Sequence, residues 1–313
     1  MSNREANVVI NLGRLKLLSE LSVLGTVSAV AEAVHLTRPA VSQQLGLLER
    51  ELDVALVERS GRTVELTPTG RRLVARSSEL FRLVNDIEAE IAQGREEISG
   101  VIRLASFGSA GVGLVPRCVQ MIEQHHPQLA VSLIELEPAE GLKAAAANQV
   151  DIAIVDDMAN AEAYAGRLDF LPLCPDYFTV VMSSQHRLAD RKNLQLSDLS
   201  EQRWALNLSA ISYHSFLMRA FHAAGFEPTV MSNCRNSAAT LELVRASSVI
   251  TVLPQLSLKQ IMNDPDFTLV PIRPMLLRRI FTVVPKGAGR RPSVAAVIDA
   301  LQEVVPEELG AIA

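Results

Sequence analysis

The sequence predicts an all-α winged helix-turn-helix with a long linker helix at the N-terminus, followed by a C-terminal α/β domain of two lobes. Its 313 residues, 48% of them apolar, are enough to bury two or three separate cores. The first 100 residues show the apolar spacing of helices. After them, short β-branched runs alternate with helical segments, which predicts a mostly parallel sheet with flanking helices.

The composition argues against several classes of protein. Charged residues make up 21% of the chain and no run of 18 apolar residues occurs, so neither a transmembrane helix nor wholesale disorder is expected. Residues 1–10 lack the pattern of a signal peptide, which predicts a cytoplasmic location and no membrane partner. Taken alone, the net charge of −5 argues against a general nucleic-acid binder.

The candidate metal, redox and catalytic residues form no recognisable pattern. Cys118, Cys174 and Cys234 are widely spaced and odd in number, which suits neither a disulfide framework nor a zinc site. We interpret them as reduced, mostly buried thiols, with a redox sensor as the alternative. The adjacent histidines at 125–126 do not suit a metal site, because their side chains diverge on a helix. The adjacent aspartates at 156–157 do not suit acid–base catalysis, because no nucleophile or base is spaced to accompany them. We therefore expect no metal, no cofactor and no enzymatic activity.

Two short helices joined by a tight turn follow a first amphipathic helix. Leucines at three-residue spacing over 12–21 predict that first helix, and Gly25 ends it. Thr26 is placed to cap a short helix over 28–34, and Thr37 to cap a third helix. The third helix is polar on one side, which is typical of a helix-turn-helix. A helical hairpin without a ligand is the alternative.

The start of the third helix carries side chains that can read DNA. A recognition helix enters the major groove with its N-terminal end, where Arg pairs with guanine and Gln with adenine. A wing is expected over 58–66, with its turn at Ser60-Gly61. Residues 59–76 hold five arginines against one acidic residue, so this end of the chain can neutralise phosphates. The expected DNA-binding residues are Thr26, Ser28, Thr37, Arg38, Pro39, Ser42, Gln43, Gln44, Arg59 and Arg62.

A linker helix is expected from Pro68 to about Gln93, where Gly94 stops it. Its apolar residues recur at spacings of 7, 4, 3 and 4, which is a heptad seam. Packing against its own domain is the alternative, but a 60-residue domain has little core to receive the helix. Pairing with a second subunit is therefore preferred. The expected dimerisation residues are Leu73, Leu80, Val84, Ile87 and Ile91.

Beyond residue 100, alternating segments cover more than 200 residues, which suggests two lobes. The arginine pairs Arg278-Arg279 and Arg290-Arg291 are interpreted as solvated surface. Strands are expected at 101–107, 129–136, 151–155, 178–182, 204–208, 229–234, 249–253, 268–272 and 280–284, and helices up to 125 and at 139–148, 213–224, 237–246 and 293–302.

Five N-terminal segments resemble the LysR-type transcriptional regulators in order and spacing. They are GTVSAVA at 25–31, HLTRPAVSQQ at 35–44, LEREL at 48–52, LVER at 56–59 and LTPTG at 66–70. The resemblance extends from about residue 11 to the end of the chain, although the C-terminal motifs are individually weak.

The resemblance implies a winged helix, a dimerising linker helix and an effector domain like the periplasmic binding proteins. It implies promoter DNA, RNA polymerase and further copies of the chain as partners, in a dimer or a dimer of dimers. A small-molecule co-inducer, expected to be a carboxylate, would bind between the lobes and control promoter binding or activation. The chain is expected to cross between the lobes near Asn160 and Phe267. The implied division is 11–68 (DNA-binding domain), 69–97 (linker), 101–159 with 268–313 (lobe I) and 160–267 (lobe II).

The effector site is expected where helices open towards the cleft. The turn at Gly108-Ser109 matches a family position that often holds a carboxylate, and backbone amides at helix starts attract anions. Ordinary turn caps are the alternative for each residue. A cytoplasmic sensor module without DNA activity, or an enzyme using the cleft, would need no helix-turn-helix. The expected effector-binding residues are Ser106, Gly108, Ser109, Pro138, Asp156, Asn207, Ser209, Asn236 and Ser237.

Overall fold

The computed structural model describes residues 10–60, 63–93, 98–192, 194–208 and 210–310. The N-terminal part is a winged helix-turn-helix followed by one long helix, as predicted. Side chains of Asn11, Thr26 and Thr37 cap its first three helices, and Gly25 ends the first with a φ of 77°. Its elements are α1 (Leu12–Leu24), α2 (Val27–Ala33), α3 (Arg38–Leu52), the antiparallel strands β1 (Val57–Ser60) and β2 (Thr63–Leu66), and α4 (Pro68–Gln93).

One apolar core joins the three helices, the wing and the start of α4. Leu18, Val41 and Leu48 are fully buried within it. The loop before β1 passes so close to α4 that a Cβ at Gly70 would lie 2.2 Å from the carbonyl oxygen of Leu56. The glycine is therefore required for α4 to begin against this domain.

The C-terminal part is an α/β domain built around two sheet halves. One half has the strand order β4-β3-β5 and the other β10-β8-β9, and all of these neighbours are parallel. Its elements are β3 (Gly100–Ser106), α5 (Gly108–Gly113), α6 (Val115–His125), β4 (Leu129–Glu135), α7 (Pro138–Ala146), β5 (Ile152–Asp156), β6 (Leu168–Ser183), β7 (Leu194–Gln195), β8 (Arg203–Leu206), α8 (Ile211–Ala223), β9 (Thr229–Asn233), α9 (Ser237–Ala246), β10 (Val249–Pro254), β11 (Phe267–Arg273), β12 (Leu277–Pro285) and α10 (Pro292–Gly310).

The sheet is mixed rather than mostly parallel, because its two central strands run against their neighbours. β12 is antiparallel to β5 and β6, and β6 is antiparallel to β10 and β11. β6 is also the segment by which the chain first passes from one lobe to the other.

The crossings lie in different places from those expected near Asn160 and Phe267. β6 pairs with β12 up to Tyr177 and with β10 and β11 from Phe178 onward. The chain therefore crosses inside one uninterrupted strand, where no turn marks the change of lobe. The return lies between the end of β11 and the start of β12.

The DNA-binding half contacts lobe I of the same chain. The guanidinium Nη2 of Arg167, just before β6, donates a hydrogen bond to the hydroxyl of Ser22 in α1 at 2.9 Å. Helix α4 packs near α10 and the 3-10 turn Ala288–Arg290. The hydroxyls of Ser19 and Ser77 join α1 to α4 at 2.9 Å. Across the described residues, no helix is both long and apolar enough to cross a membrane.

Candidate functional site

The start of α3 presents a continuous polar surface. Arg38, Ser42 and Gln43 have exposed side chains, as have Thr37 and Pro39 beside them. The Thr37 hydroxyl accepts a hydrogen bond from the amide of Ala40 at 3.3 Å, which fixes the first turn of the helix. The opposite face of α3 is buried in the core. The exposed side chains are therefore held on a rigid element.

The other expected DNA-binding residues are arranged less uniformly. Thr26 is exposed, and its hydroxyl caps α2 by accepting from the amide of Ala29 at 3.1 Å, whereas Ser28 is half-buried. Arg59 belongs to β1, but its side chain lies outside the described residues, as does Arg62 as a whole.

Gln44 faces the inside of the domain, unlike its neighbour Gln43. Its side-chain oxygen accepts a hydrogen bond from Nε of Arg14 at 2.9 Å, and Arg14 also pairs with Glu51. Gln44 is half-buried between α1 and α3. Its amide therefore contributes to helix packing, and this is the reason why it does not join the exposed surface of α3.

Glu49 positions the wing, a role that the sequence did not reveal. Its Oε1 accepts from the backbone amides of Leu56 and Val57 at 2.7 and 3.0 Å. These bonds tie the end of α3 to the start of β1, because backbone amides bind a carboxylate more strongly than they bind a neutral acceptor. An acid seven residues before an extended segment has no local sequence signature.

The expected dimerisation seam is uncovered in its distal part only, because Leu73 packs against the core of its own domain. Ile87 and Ile91 are 55% and 63% exposed, and Leu83 between the seam positions is 50% exposed. Leu73, Leu80 and Val84 are half-buried. The distal part of α4 therefore presents apolar side chains to solvent in the single chain.

Between the lobes, the half-buried Ser109 in the first turn of α5 contacts an arginine. Its Oγ accepts a hydrogen bond from Nη2 of Arg278 on β12 at 2.5 Å. Arg278 is only 5% exposed, so its interpretation as solvated surface was wrong. Arg279, the next residue, is exposed and pairs with Asp157. Burial alternates over the first four residues of β12, which turns Arg278 inward and Arg279 outward.

Two buried carboxylates hold the Arg278 guanidinium. Its Nε and Nη2 donate to Oδ2 of Asp176 at 2.9 and 2.7 Å, and its Nη1 donates to Asp156 at 3.3 Å. The guanidinium carbon also lies 4.6 Å from the ring centre of Phe107 and 5.5 Å from that of Phe178. Burial raises the pKa of the Asp156 carboxyl, and the Arg278 charge opposes the rise.

This network joins both lobes. Asp176 lies on β6 at the crossing, and its Oδ1 accepts from the backbone amide of Leu256, after β10, at 3.1 Å. Arg278 is on the returning strand, while Asp156 and Ser109 belong to lobe I. A change at Ser109 can therefore reach the crossing strands through one side chain.

Two other residues expected at the start of α5 differ in their accessibility. Ser106 is buried, and its hydroxyl donates to the carbonyl oxygen of Phe107 at 3.2 Å, so it is turned away from the cleft. Gly108 is exposed, and a Cβ there would lie 3.3 Å from a carboxylate oxygen of Glu135. An acidic side chain therefore stands beside this helix start.

The starts of α7 and α9 carry charged side chains whose electrostatic fields reach each other. Pro138 is buried in the first turn of α7, beside the exposed Glu137. Burial and the charges of neighbouring acids raise the pKa of Glu137, while the Arg235 charge lowers it. Arg235 directly precedes Asn236, whose side-chain oxygen caps α9 by accepting from the amide of Ala238 at 2.8 Å.

The remaining expected effector residues lie in lobe II. Ser237 is exposed at the start of α9, and Asn207 is half-buried just after β8. Ser209 lies outside the described residues. The structure thus brings Ser109 and Asp156 together, and it leaves Asn207 and Ser237 on the other lobe.

Two cysteines have the properties of structural thiols. Cys118 and Cys174 are buried, and burial raises the pKa of each thiol to about 12. Thiolate is the reactive form, so these two residues are poor nucleophiles at neutral pH. Cys234 is half-buried, with its sulfur 3.0 Å from the Ser232 hydroxyl. No group of three potential metal ligands occurs in the described parts of the chain.

Two family models match this architecture. Residues 12–71 match the bacterial regulatory helix-turn-helix protein, lysR family, and residues 95–306 match the LysR substrate binding domain. The chain belongs to the LysR family of transcriptional regulators. This confirms the family and the fold class that the sequence predicts. Its members regulate transcription and are not enzymes.

Curated and solved relatives extend the match over nearly the whole chain. The HTH-type transcriptional regulator CysL of Bacillus subtilis is 23% identical over 249 residues, which cover 80% of this chain and 82% of CysL. A full-length OxyR variant from Pseudomonas aeruginosa has a TM-score of 0.68 at 19% identity, covering 94% of this chain and 98% of that one. Full-length CbnR in complex with its target DNA has a TM-score of 0.54 at 19% identity, covering 94% and 99%. These structural likenesses show the fold.

Proposed function

We propose that this LysR-type regulator binds double-stranded promoter DNA through the start of α3, and that a small molecule between the lobes controls promoter binding or activation. The exposed surface of Arg38, Ser42 and Gln43 on a rigidly capped helix carries the first part of the proposal. Arg and Gln can each make paired hydrogen bonds to base edges in the major groove. The similar fold of CbnR, which was solved with its target DNA, supports this use of the fold.

The same proposal includes assembly. The exposed apolar face of α4 would pair with a second copy of the chain, because an uncovered apolar stripe at heptad spacing buries its side chains in a coiled coil. Two DNA-binding domains would then read two half-sites of one promoter, as a dimer or as part of a dimer of dimers. RNA polymerase is the further proposed partner, at the promoter that the regulator occupies.

The effector part of the proposal rests on the network around Ser109. The half-buried Ser109 hydroxyl is hydrogen-bonded to Arg278 on β12, and Arg278 is bonded to Asp176 on β6, the strand inside which the chain crosses between the lobes. A small molecule that binds Ser109 with different strength in the open and closed cleft shifts the balance between those states. The DNA-binding half contacts lobe I, so the balance can reach the promoter.

Substitution of Ser42 and Gln43 tests the DNA-binding role. Genomic fragments selected by the wild-type protein serve as probes in a gel-shift titration at fixed salt. Ser42→Ala and Gln43→Ala are each expected to weaken binding to the selected site by about 1–3 kcal/mol for each lost base contact. Gln124→Ala, at an exposed position of α6, is the matched control and is expected to bind as the wild type does.

Selectivity separates base reading from general attraction to phosphate. Loss of a base contact lowers the ratio of specific to nonspecific affinity, whereas loss of a phosphate contact weakens both. Unchanged affinity and selectivity in both variants would contradict the role of α3. Failure of the wild type to select any fragment would favour the sensor module without DNA activity.

A further inference from the structure

We propose that Arg278 turns the Ser109 hydroxyl into a hydrogen-bond donor that faces the cleft, so that the effector is recognised there through an uncharged oxygen atom. This inference rests on the proposed function, because it names the chemistry of the ligand that the cleft would hold. It replaces the carboxylate expected from the sequence with an amide, ketone, ester or hydroxyl oxygen.

The direction of the hydroxyl follows from the chemistry of its partner. A guanidinium has five N–H donors and no acceptor, so Arg278 can only donate to Ser109. The Ser109 oxygen accepts that bond at 2.5 Å, and its own proton must then point to a different acceptor. Ser109 is half-buried, so part of its side chain is open to solvent, and we infer that the proton points there.

The guanidinium cannot easily turn to release this constraint. Asp176 binds both Nε and Nη2, and the Phe107 ring lies 4.6 Å from the guanidinium carbon. Asp176 is itself held by the backbone amide of Leu256. Because Arg278 is fixed by three different segments of the chain, the donor character of Ser109 is built into the fold.

The local charge disfavours an anionic ligand. The buried network holds one guanidinium against the carboxylates of Asp156 and Asp176, which leaves a net negative charge when both acids are ionised. A carboxylate oxygen of Glu135 also lies beside Gly108. Repulsion between like charges is stronger for buried groups, as Asp156 and Asp176 are. An effector carboxylate would meet this repulsion, whereas a neutral oxygen accepts from Ser109 without it.

Matched pairs of compounds that differ only in this head group test the proposal. The full-length protein is titrated with benzoate and benzamide, nicotinate and nicotinamide, glutamate and glutamine, and a wider library of acid and primary-amide pairs. Binding is followed by thermal shift and then by calorimetry for each compound that stabilises the protein. We expect the amide to bind at least about tenfold more tightly than its acid, roughly the effect of one hydrogen bond without the opposing charge.

Four variants assign the preference to these two residues. Ser109→Ala is expected to weaken amide binding by about tenfold, and Ser109→Thr to restore it. Arg278→Gln is expected to reduce the ratio of amide affinity to acid affinity. A glutamine side chain can accept a hydrogen bond as well as donate one, so the Ser109 hydroxyl could then donate to it and no longer to the ligand. Arg278→Lys keeps a partner that only donates and is expected to keep the ratio. The ratio of affinities is the decisive readout, because a purely structural defect would weaken both compounds of a pair. Ser132→Ala, an exposed serine of β4, is the control.

Several results would overturn the inference. These are tighter binding of the acids, a preference for amides that persists in Ser109→Ala, and a library in which no amide stabilises the wild type. Gel shifts on the selected promoter fragment are run with each protein in the absence of ligand. A wild type that binds this DNA but prefers acids refutes the inference alone, whereas failure to bind DNA refutes the proposed function.

Discussion

Glu20 provides a direct test of the packing of the DNA-binding domain. Its side chain in α1 is only 3% exposed, and Oε2 has no hydrogen-bond partner among the described residues. It lies beside a cavity of about 330 Å³ that Asn11 and Leu36 also line. Burial raises the pKa of Glu20 to about 7, although the Lys16 charge opposes the rise.

The stability cost of this burial depends on pH in a defined direction. Below the unfolded pKa of 4.5, the carboxyl is protonated in both the folded and the unfolded chain, and no cost arises. Between 4.5 and about 7 the unfolded chain ionises first, so the free energy of unfolding falls as the pH rises. Above that range the loss is complete. It amounts to about 3 kcal/mol, because each unit of pKa corresponds to about 1.4 kcal/mol.

Glu20→Gln removes the charge and keeps the shape of the side chain. The variant is expected to be more stable than the wild type by about 3 kcal/mol at pH 8 and nearly equal to it at pH 4.5. Hydrogen exchange of the buried backbone amides of Leu18 and Leu48 reports on this domain within the full chain. Glu32→Gln, at an exposed position of α2, is the matched control and is expected to show no such dependence on pH.

The difference between the two pH values decides the outcome. If Glu20→Gln and the wild type are equally protected from hydrogen exchange at pH 8, the ionised carboxylate of the wild type must be stabilised by a hydrogen-bond partner or by water. The same difference at both pH values would show that packing, and not ionisation, causes it. Either result would refute the reasoning from burial.

Three further predictions concern packing and assembly. Gly70→Ala places a methyl group 2.2 Å from the Leu56 carbonyl oxygen and is expected to lower the free energy of unfolding by about 2 kcal/mol in urea, whereas Gly46→Ala, which meets open space, is not expected to destabilise. Ile87→Glu puts a charge on the exposed apolar face of α4 and is expected to lower the mass found by sedimentation equilibrium; a wild-type mass would contradict the seam. Arg167→Ala removes the hydrogen bond to α1 and is expected to increase proteolysis of the segment that joins the two halves, without changing the stability of either. Equal cleavage rates would show that this bond does not hold them together.

Local elements could be predicted because their signals are local. Thr26 and Thr37 cap the helices that they were expected to cap, and Gly25 ends α1 with a positive φ. The proline at 68 begins α4 as predicted, whereas Gly94, expected to end it, lies outside the described residues. A hydroxyl or glycine at a helix end acts on residues three or four positions away, so the sequence alone is sufficient to place it.

The long strand β6 could not be predicted because its pairing is not local. Pro172 and Pro175 argue against a strand, since proline cannot donate to a ladder. In the structure the first half of β6, which contains both prolines, pairs with β12 on one side. The register of this pairing shifts between Ile280 and Phe281 of β12. The first part of β6 is therefore tolerated in the sheet, and the predicted strand began too late, at Phe178.

At the candidate sites, too, only the features set by nearby residues could be predicted from the sequence. Ser42 and Gln43 could be placed on an exposed face from helical spacing, but the inward position of Gln44 depends on Arg14, thirty residues away. Arg278 was misread because an arginine pair resembles surface. Its partner Asp176 lies on another strand, and only the pairing of β6 with β12 reveals it.

The contact between α1 and lobe I bears on how a signal would reach the promoter. Arg167 and α10 belong to lobe I, so we expect the DNA-binding surface to move with that lobe if the cleft opens or closes. Lobe II would then be the part of the chain that moves relative to the DNA-binding domain. In an assembly of several chains, a displacement of lobe II against a neighbouring subunit would shift one lobe I relative to another. The distance between the two recognition helices, and hence the spacing of half-sites that fits them, would change without any rearrangement inside the DNA-binding domain.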